Sequence, residues 1–240
     1  MAKLYVVGIG PGGKEHFTLK AIKTIKRSDV IVGYSPYIEY LGENLIEGKE
    51  IFSTGMRGEI ERCEYAIEKV REGKNTAIIS TGDAGLYGMA GPILELADDI
   101  DVEIVPGVTA AFSAASDLGS PIMHDFCSIS LSDLLTPWEV IEKRVEYGAK
   151  GDFVIVIYNP RSKGRKDHLK KAVDIILKYK SPSTPVGIVK NSGRDGEEKF
   201  ITTLGKIDYE IVDMLSIVLI GNKETYIKGD KIVTPRGYEF

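Results

Sequence analysis

Short apolar runs rich in β-branched residues recur through the first half of the chain, at Leu4–Val7, Val30–Val32, Thr76–Ser80 and Val102–Val105. Helical patterns separate them. The clearest, Glu59–Arg71, places Ile60, Ala66, Ile67 and Val70 near helical spacing, with acids first, Arg71 last and Gly73 behind, the polarity that a helix dipole favours. Thr18–Lys26 is a second periodic segment, and Pro92–Ala97 closes a third. Successive parallel strands need crossovers that lie on the sheet faces, so this alternation predicts an α/β fold with a mainly parallel sheet covered by helices.

The stretch Pro106–Pro121 is dominated by small residues; Thr109–Leu118 reads as a helix that Gly119 and Pro121 then break. Beyond it, strands are expected at Phe126–Ser130, Phe153–Tyr158, Val186–Lys190 and Ile217–Ile220, helices at about 137–147 and 166–179, and a further strand at Lys199–Thr203 that gives a mixed sheet. The expected division is an N-terminal α/β domain, 1–117, and a C-terminal α/β domain, 118–240. A chain of 240 residues can give each its own core.

The bulk properties exclude several classes. With a net charge of −4, a broad nucleic-acid footprint is not expected, and anionic ligands must be met by local basic clusters. No apolar run reaches the roughly 18 residues of a membrane span, and Lys14 and Glu15 follow the apolar start too soon for a signal peptide. A cytoplasmic chain with reduced thiols is the expectation. Cys63 and Cys127 form no metal-spaced pair, and His16, His124 and His168 are scattered, so no metal site is expected and each histidine reads as solvated or in a loop.

Glycine turns end several strands. "VVGIGPGG", Val6–Gly13, satisfies the dinucleotide pattern G-x-G-x-x-G, but its context does not. Pro11–His16 delay the next helix to about Thr18, and the second strand runs into Gly33-Tyr34-Ser35 with no acid at its end for a ribose. A dinucleotide-binding module therefore remains only an alternative. "STGDAGLYG", Ser80–Gly88, offers a close backbone approach at Gly82 and one carboxylate, Asp83; a turn in which Asp83 caps the next helix is the competing reading. "PGVTAA", Pro106–Ala111, repeats the arrangement with Thr109 as a possible cap. "YNPRSKGRKDHL", Tyr158–Leu169, gathers Arg161, Lys163, Arg165 and Lys166 before and at a helix start, against the dipole, which suits either an anionic partner or a solvated loop. "TPWE" has the pattern of a capping box, with Thr136 as cap, Pro137 at the first helical position and Glu139 two beyond.

In this order, "GIGPGG", "GDAGLYG", "PGVTAA", "YNP" and the late "VKNSG" resemble the tetrapyrrole methylases, the class III S-adenosylmethionine (SAM)-dependent methyltransferases, over essentially the whole chain. The segment Ser128–Arg144, "SISLSDLLTPWEVIEKR", is similar to the subgroup that methylates C17 of a corrinoid precursor of cobalamin and contracts its ring. The resemblance implies two α/β domains with a cleft between them, a homodimer, SAM as methyl donor with S-adenosylhomocysteine as product, and a tetrapyrrole substrate. Carried over by motif, the donor-contacting residues are Ile9, Pro11, Gly82, Asp83, Leu86, Thr109, Ala110, Tyr158 and Ser192. Arg57, Arg161 and Arg165 are the candidates for the macrocycle's carboxylates, and Ser132 and Asp133 for proton control during contraction. Two departures stand out. Ala84 occupies the place of a more usual proline, and Tyr34 and Met56 stand where the uroporphyrinogen methylases carry a catalytic Asp and Lys. Methylation at another position or on another substrate, diphthine synthesis included, is the second enzyme reading.

Overall fold

In the computed structural model, which describes residues 2–239, the alternation of the first half becomes a five-stranded sheet in the order β3-β2-β4-β1-β5, every pair parallel. Its strands are β1 (Leu4–Gly8), β2 (Val30–Tyr34), β3 (Glu50–Thr54), β4 (Thr76–Ser80) and β5 (Val102–Val105). β1 and β4 are buried along their whole length, as the unbroken apolar runs require of strands covered on both faces. On one face Leu4, Val6, Val30, Val32 and Ile78 pack against α4 (Glu59–Arg71) and α5 (Ala90–Leu96). On the other, Tyr5, Val7, Ile31, Ala77 and Ile79 pack against α1 (Leu19–Arg27) and α3 (Glu43–Ile46); the short α2 (Ser35–Glu39) follows β2.

The chain therefore leaves β1 toward α1 on one face and leaves its neighbour β4 toward α5 on the other. Adjacent strands whose connections diverge to opposite faces open a crevice at their carboxyl ends, the place where open α/β sheets bind ligands. β3 is an edge strand that the apolar pattern does not reveal, because its residues alternate between half-buried and exposed.

The second unit begins at Ala111, so α6 (Ala110–Leu118) lies almost wholly within it. Packing accounts for this: Leu118 is fully buried, and a side chain added at Gly187 would strike its Cδ1 at 2.3 Å. Five strands order as β10-β9-β11-β8-β7, namely β7 (Phe126–Ser130), β8 (Val154–Tyr158), β9 (Pro185–Lys190), β10 (Glu198–Thr203) and β11 (Ser216–Ile220). Only β7 and β8 pair in parallel, so this sheet is mixed, as expected. α7 (Trp138–Lys150) and α8 (His168–Ile176) cover one face. A small third sheet, β6 (Gly119–Ser120), β12 (Tyr226–Lys228) and β13 (Lys231–Val233), escaped the sequence reading because its strands are two or three residues long.

The capping box does not form. Trp138 is the first helical residue of α7, Pro137 occupies the cap, and no side chain caps the helix. With the helix starting one residue late, Thr136 is out of register for the role. Among the described residues no helix is long and apolar enough to cross a membrane.

Candidate functional site

The turns after β1, β4 and β5 meet through bare backbone. The Gly10 N–H donates to the Gly82 carbonyl at 3.0 Å and the Gly82 N–H to the Gly10 carbonyl at 2.7 Å, a two-way bridge at the β1–β4 crevice. Gly10 (φ +80°) and Gly82 (φ +67°) both lie in the left-handed region, which glycine enters without a Cβ penalty. A Cβ built on Gly107 would stand 2.1 Å from the Gly82 carbonyl and 2.7 Å from Gly8; one on Gly8 would stand 2.7 Å from the Gly107 nitrogen. The three strand ends are thus in backbone-to-backbone contact.

Asp83 ties two of them together. One carboxylate oxygen accepts from the Gly85 N–H at 2.8 Å, the other from the Gly107 N–H at 3.0 Å. It does not cap α5, which starts at Ala90 behind Met89 with no side-chain cap. Ala84, at the position of a more usual proline, is fully buried in the core beneath the turn. On the other side Gly82 is buried against the turn after β5, in ordinary van der Waals contact. The nearest atoms to a side chain it lacks are the Ala110 nitrogen at 3.7 Å and the Thr109 Cα at 3.8 Å. Ile9 is fully buried with its amide bonded to Ser80, Pro11 and Thr109 are buried, and Leu86 is half-buried. The β1 turn has no helix to aim at a pyrophosphate: a 3₁₀ turn at Lys14–His16 intervenes, and α1 starts at Leu19, capped by Thr18 Oγ1 accepting from Ala21 at 3.0 Å.

In the second unit the parallel pair β7–β8 ends on a polar cluster. The Tyr158 hydroxyl accepts from the Ala111 N–H at 2.9 Å, in the first turn of α6. Asn159 (φ +51°) donates to Ser130 Oγ at 2.9 Å. Ser132 Oγ accepts from Arg165 at 2.6 Å, and Asp133 pairs with His168 Nε2 at 2.9 Å, with Arg165 at 3.8 Å. The His168 bond, more than the neighbouring charges, holds the Asp133 carboxyl below the usual carboxylate range. His168 is therefore not a solvated histidine: its side chain is 14% exposed and its ring meets Trp138 edge-on at 4.5 Å.

The basic cluster is more engaged than a solvated loop. Arg161 bonds both oxygens of Glu210 at 3.0 Å and the Tyr209 carbonyl, and Arg165 is 8% exposed. Lys163 and Lys166 help to line a groove of about 470 Å³ with Met214 and Leu215. Ser192 is buried, its Oγ 2.7 Å from Ser113 and 2.8 Å from Asp117. Arg57 is exposed, on the turn after β3. Sequence reasoning passed over Asn159, His168 and the buried Arg62; only the "YNP" motif signalled the first of these.

Backbone turns gathered at a β-strand crevice define an α/β ligand-binding protein of the open-sheet class. The chain belongs to the tetrapyrrole (corrin/porphyrin) methylases, whose family model matches residues 3–208, and is accordingly a SAM-dependent C-methyltransferase. It is 52% identical to a probable cobalt-factor III C(17)-methyltransferase of Salmonella typhimurium, over 98% of this chain and 99% of that one. It is 36% identical to a precorrin-3B C(17)-methyltransferase of a Sinorhizobium species, over 98% and 96%. The crystal structure of the methyltransferase CobJ superposes with a TM-score of 0.93 at 32% identity, covering 98% of this chain and all of that chain. A cobalt precorrin-4 methyltransferase structure superposes at 0.75, with 25% identity over 91% and 94%.

Proposed function

We propose that the protein transfers a methyl group from SAM to C17 of a corrinoid precursor of the cobalt-factor III or precorrin-3B kind, with contraction of the macrocycle, and releases S-adenosylhomocysteine. The observation that carries this reading is full-length likeness to two C17-methyltransferases, one named for cobalt-factor III and one for precorrin-3B.

SAM supplies an electrophilic methyl on a sulfonium. In this reading Ile9, Pro11, Gly82, Asp83, Leu86, Thr109, Ala110, Tyr158 and Ser192 contact it, several through backbone. Support comes from the glycine backbone at the strand ends and from Asp83, whose bonds to Gly85 and Gly107 fix two turns at once. Held turns serve a transfer that needs the methyl carbon about 3–3.5 Å from the acceptor ring carbon, in line with the departing sulfur. Arg57, Arg161 and Arg165 are the candidates for the acceptor's carboxylates. Ser132 and Asp133, which bond Arg165 and His168, are those for proton handling during contraction. A cytoplasmic homodimer completes the reading.

The test is incubation with methyl-labelled SAM and cobalt-factor III, followed by mass analysis and carbon NMR of the product. One added methyl, at C17 of a contracted ring, is expected. Label at another ring carbon would refute the C17 assignment and favour methylation elsewhere on the macrocycle.

A further inference from the structure

The turn after β3 holds an arginine in a disfavoured backbone conformation. Arg57 has φ +67°, the left-handed region in which a Cβ is disfavoured. Its side chain is exposed and has no partner among the described residues. Strain at a non-glycine residue persists only where the surroundings hold it, and it gathers at ligand-binding positions.

The surroundings do hold it. Arg62, on the first turn of α4, is only 4% exposed and spends its guanidinium on this turn. Its Nη1 donates to Thr54 Oγ1 at 2.6 Å and to the Gly55 carbonyl at 3.1 Å, and its Nη2 lies 3.5 Å from Glu59. The Thr54 carbonyl also accepts from Ser35 Oγ at 3.1 Å. At the far end of the turn, a side chain on Gly58 would strike Thr54 Oγ1 at 2.2 Å. What this braced turn presents outward is Met56, 73% exposed, and the Arg57 guanidinium. An apolar thioether beside a planar cation is the complement of a macrocycle with an apolar ring and carboxylate arms. The other candidate arginines already have partners within the chain, Glu210 for Arg161 and Ser132 for Arg165.

We propose that Arg57 grips a side-chain carboxylate of the tetrapyrrole acceptor through two parallel hydrogen bonds, and that Arg62 is its positioning residue. The proposal rests on the methyltransferase reading above. Arg57 sets affinity for the acceptor and leaves the donor untouched.

Arg57→Gly separates this role from a structural one, because glycine relieves the backbone. The variant should melt no lower than the wild type. In a spectrophotometric titration its Kd for cobalt-factor III should rise at least tenfold, while the Kd for S-adenosylhomocysteine stays within twofold. Arg57→Lys, which keeps the charge and loses the fork, should fall between. Arg62→Met should weaken cobalt-factor III binding as well, and adding it to Arg57→Gly should weaken binding no further, since it acts through Arg57. An Arg57→Gly Kd for cobalt-factor III within twofold of wild type overturns the proposal. So does a lower melting temperature for that variant, and additive losses in the double variant reduce Arg62 to scaffold. A wild-type protein that binds cobalt-factor III but transfers no methyl refutes the methyltransferase reading alone, with the Arg57 affinities still deciding this one; absence of binding refutes both.

Discussion

Gly107→Ala is the sharpest test of the backbone contact among the strand-end turns. The added Cβ would lie 2.1 Å from the Gly82 carbonyl oxygen and 2.7 Å from the Gly8 carbonyl carbon and oxygen. All of these atoms are backbone, so no rotamer can swing aside. Relief requires moving the end of β5 by about 1 Å, at an overpacking cost of about 1–3 kcal/mol. That movement also draws the Gly107 amide from Asp83, a charge-assisted bond whose loss adds about 1–3 kcal/mol. The sum is roughly 4 kcal/mol, or about 8–16 °C in melting temperature for a chain of this size. Calorimetric melts and SAM titration measure the two consequences, and SAM affinity should drop at least tenfold. Gly91→Ala is the control: nothing lies within 4 Å of an added Cβ there, so alanine should change stability by no more than about 1 kcal/mol. If Gly107→Ala melts within a degree of wild type and binds SAM normally, the turns are not locked together as described.

Asp83→Ala should weaken SAM binding while the protein stays folded, and Asp83→Asn, which keeps one acceptor oxygen, should lose less; calorimetric titration with unchanged affinities for both would remove Asp83 from the site. Tyr158→Phe removes the acceptor of the Ala111 amide and should cost about 1 kcal/mol in a denaturant melt, with no change expected only if that amide finds another partner. Glu50 is held down to about 2, first by its hydrogen bond from Lys74 and then by that from Tyr65. A carboxyl depressed on folding stabilises above its ordinary value of about 4.5, and the contribution fades as pH falls through 2. Glu50→Gln should therefore lower the melting temperature near neutral pH and make little difference near pH 2; an equal loss at both would refute the ion-pair account.

The central strands were legible because burial on two faces leaves an unbroken apolar run, as in Ala77-Ile78-Ile79. β3 was not, because an edge strand with Glu50 and Ser53 reads as polar. Glycines marked the turns, but that Gly8, Gly82 and Gly107 touch follows from strand order, which no local pattern encodes. Asp83 was picked out as a carboxylate at a strand end, yet its partner Gly107 lies on another strand's turn. Arg62 carries no local signal of its role, and only the fold turns it inward. Thr136 shows the opposite failure, a correct local pattern displaced by a one-residue shift in helix start.

The contact among the glycine turns also restricts how this scaffold can change. A position where even a methyl group collides with backbone offers mutation nothing to try, so Gly8 and Gly107 cannot be used to tune selectivity. New preferences must be written on surfaces that tolerate side chains, such as the Met56–Arg57 turn after β3 or the Ser132–Leu135 loop, where Leu135 is 98% exposed. Innovation on this fold is thereby channelled: one part of the molecule is frozen by geometry, and diversification is left to the loops around it.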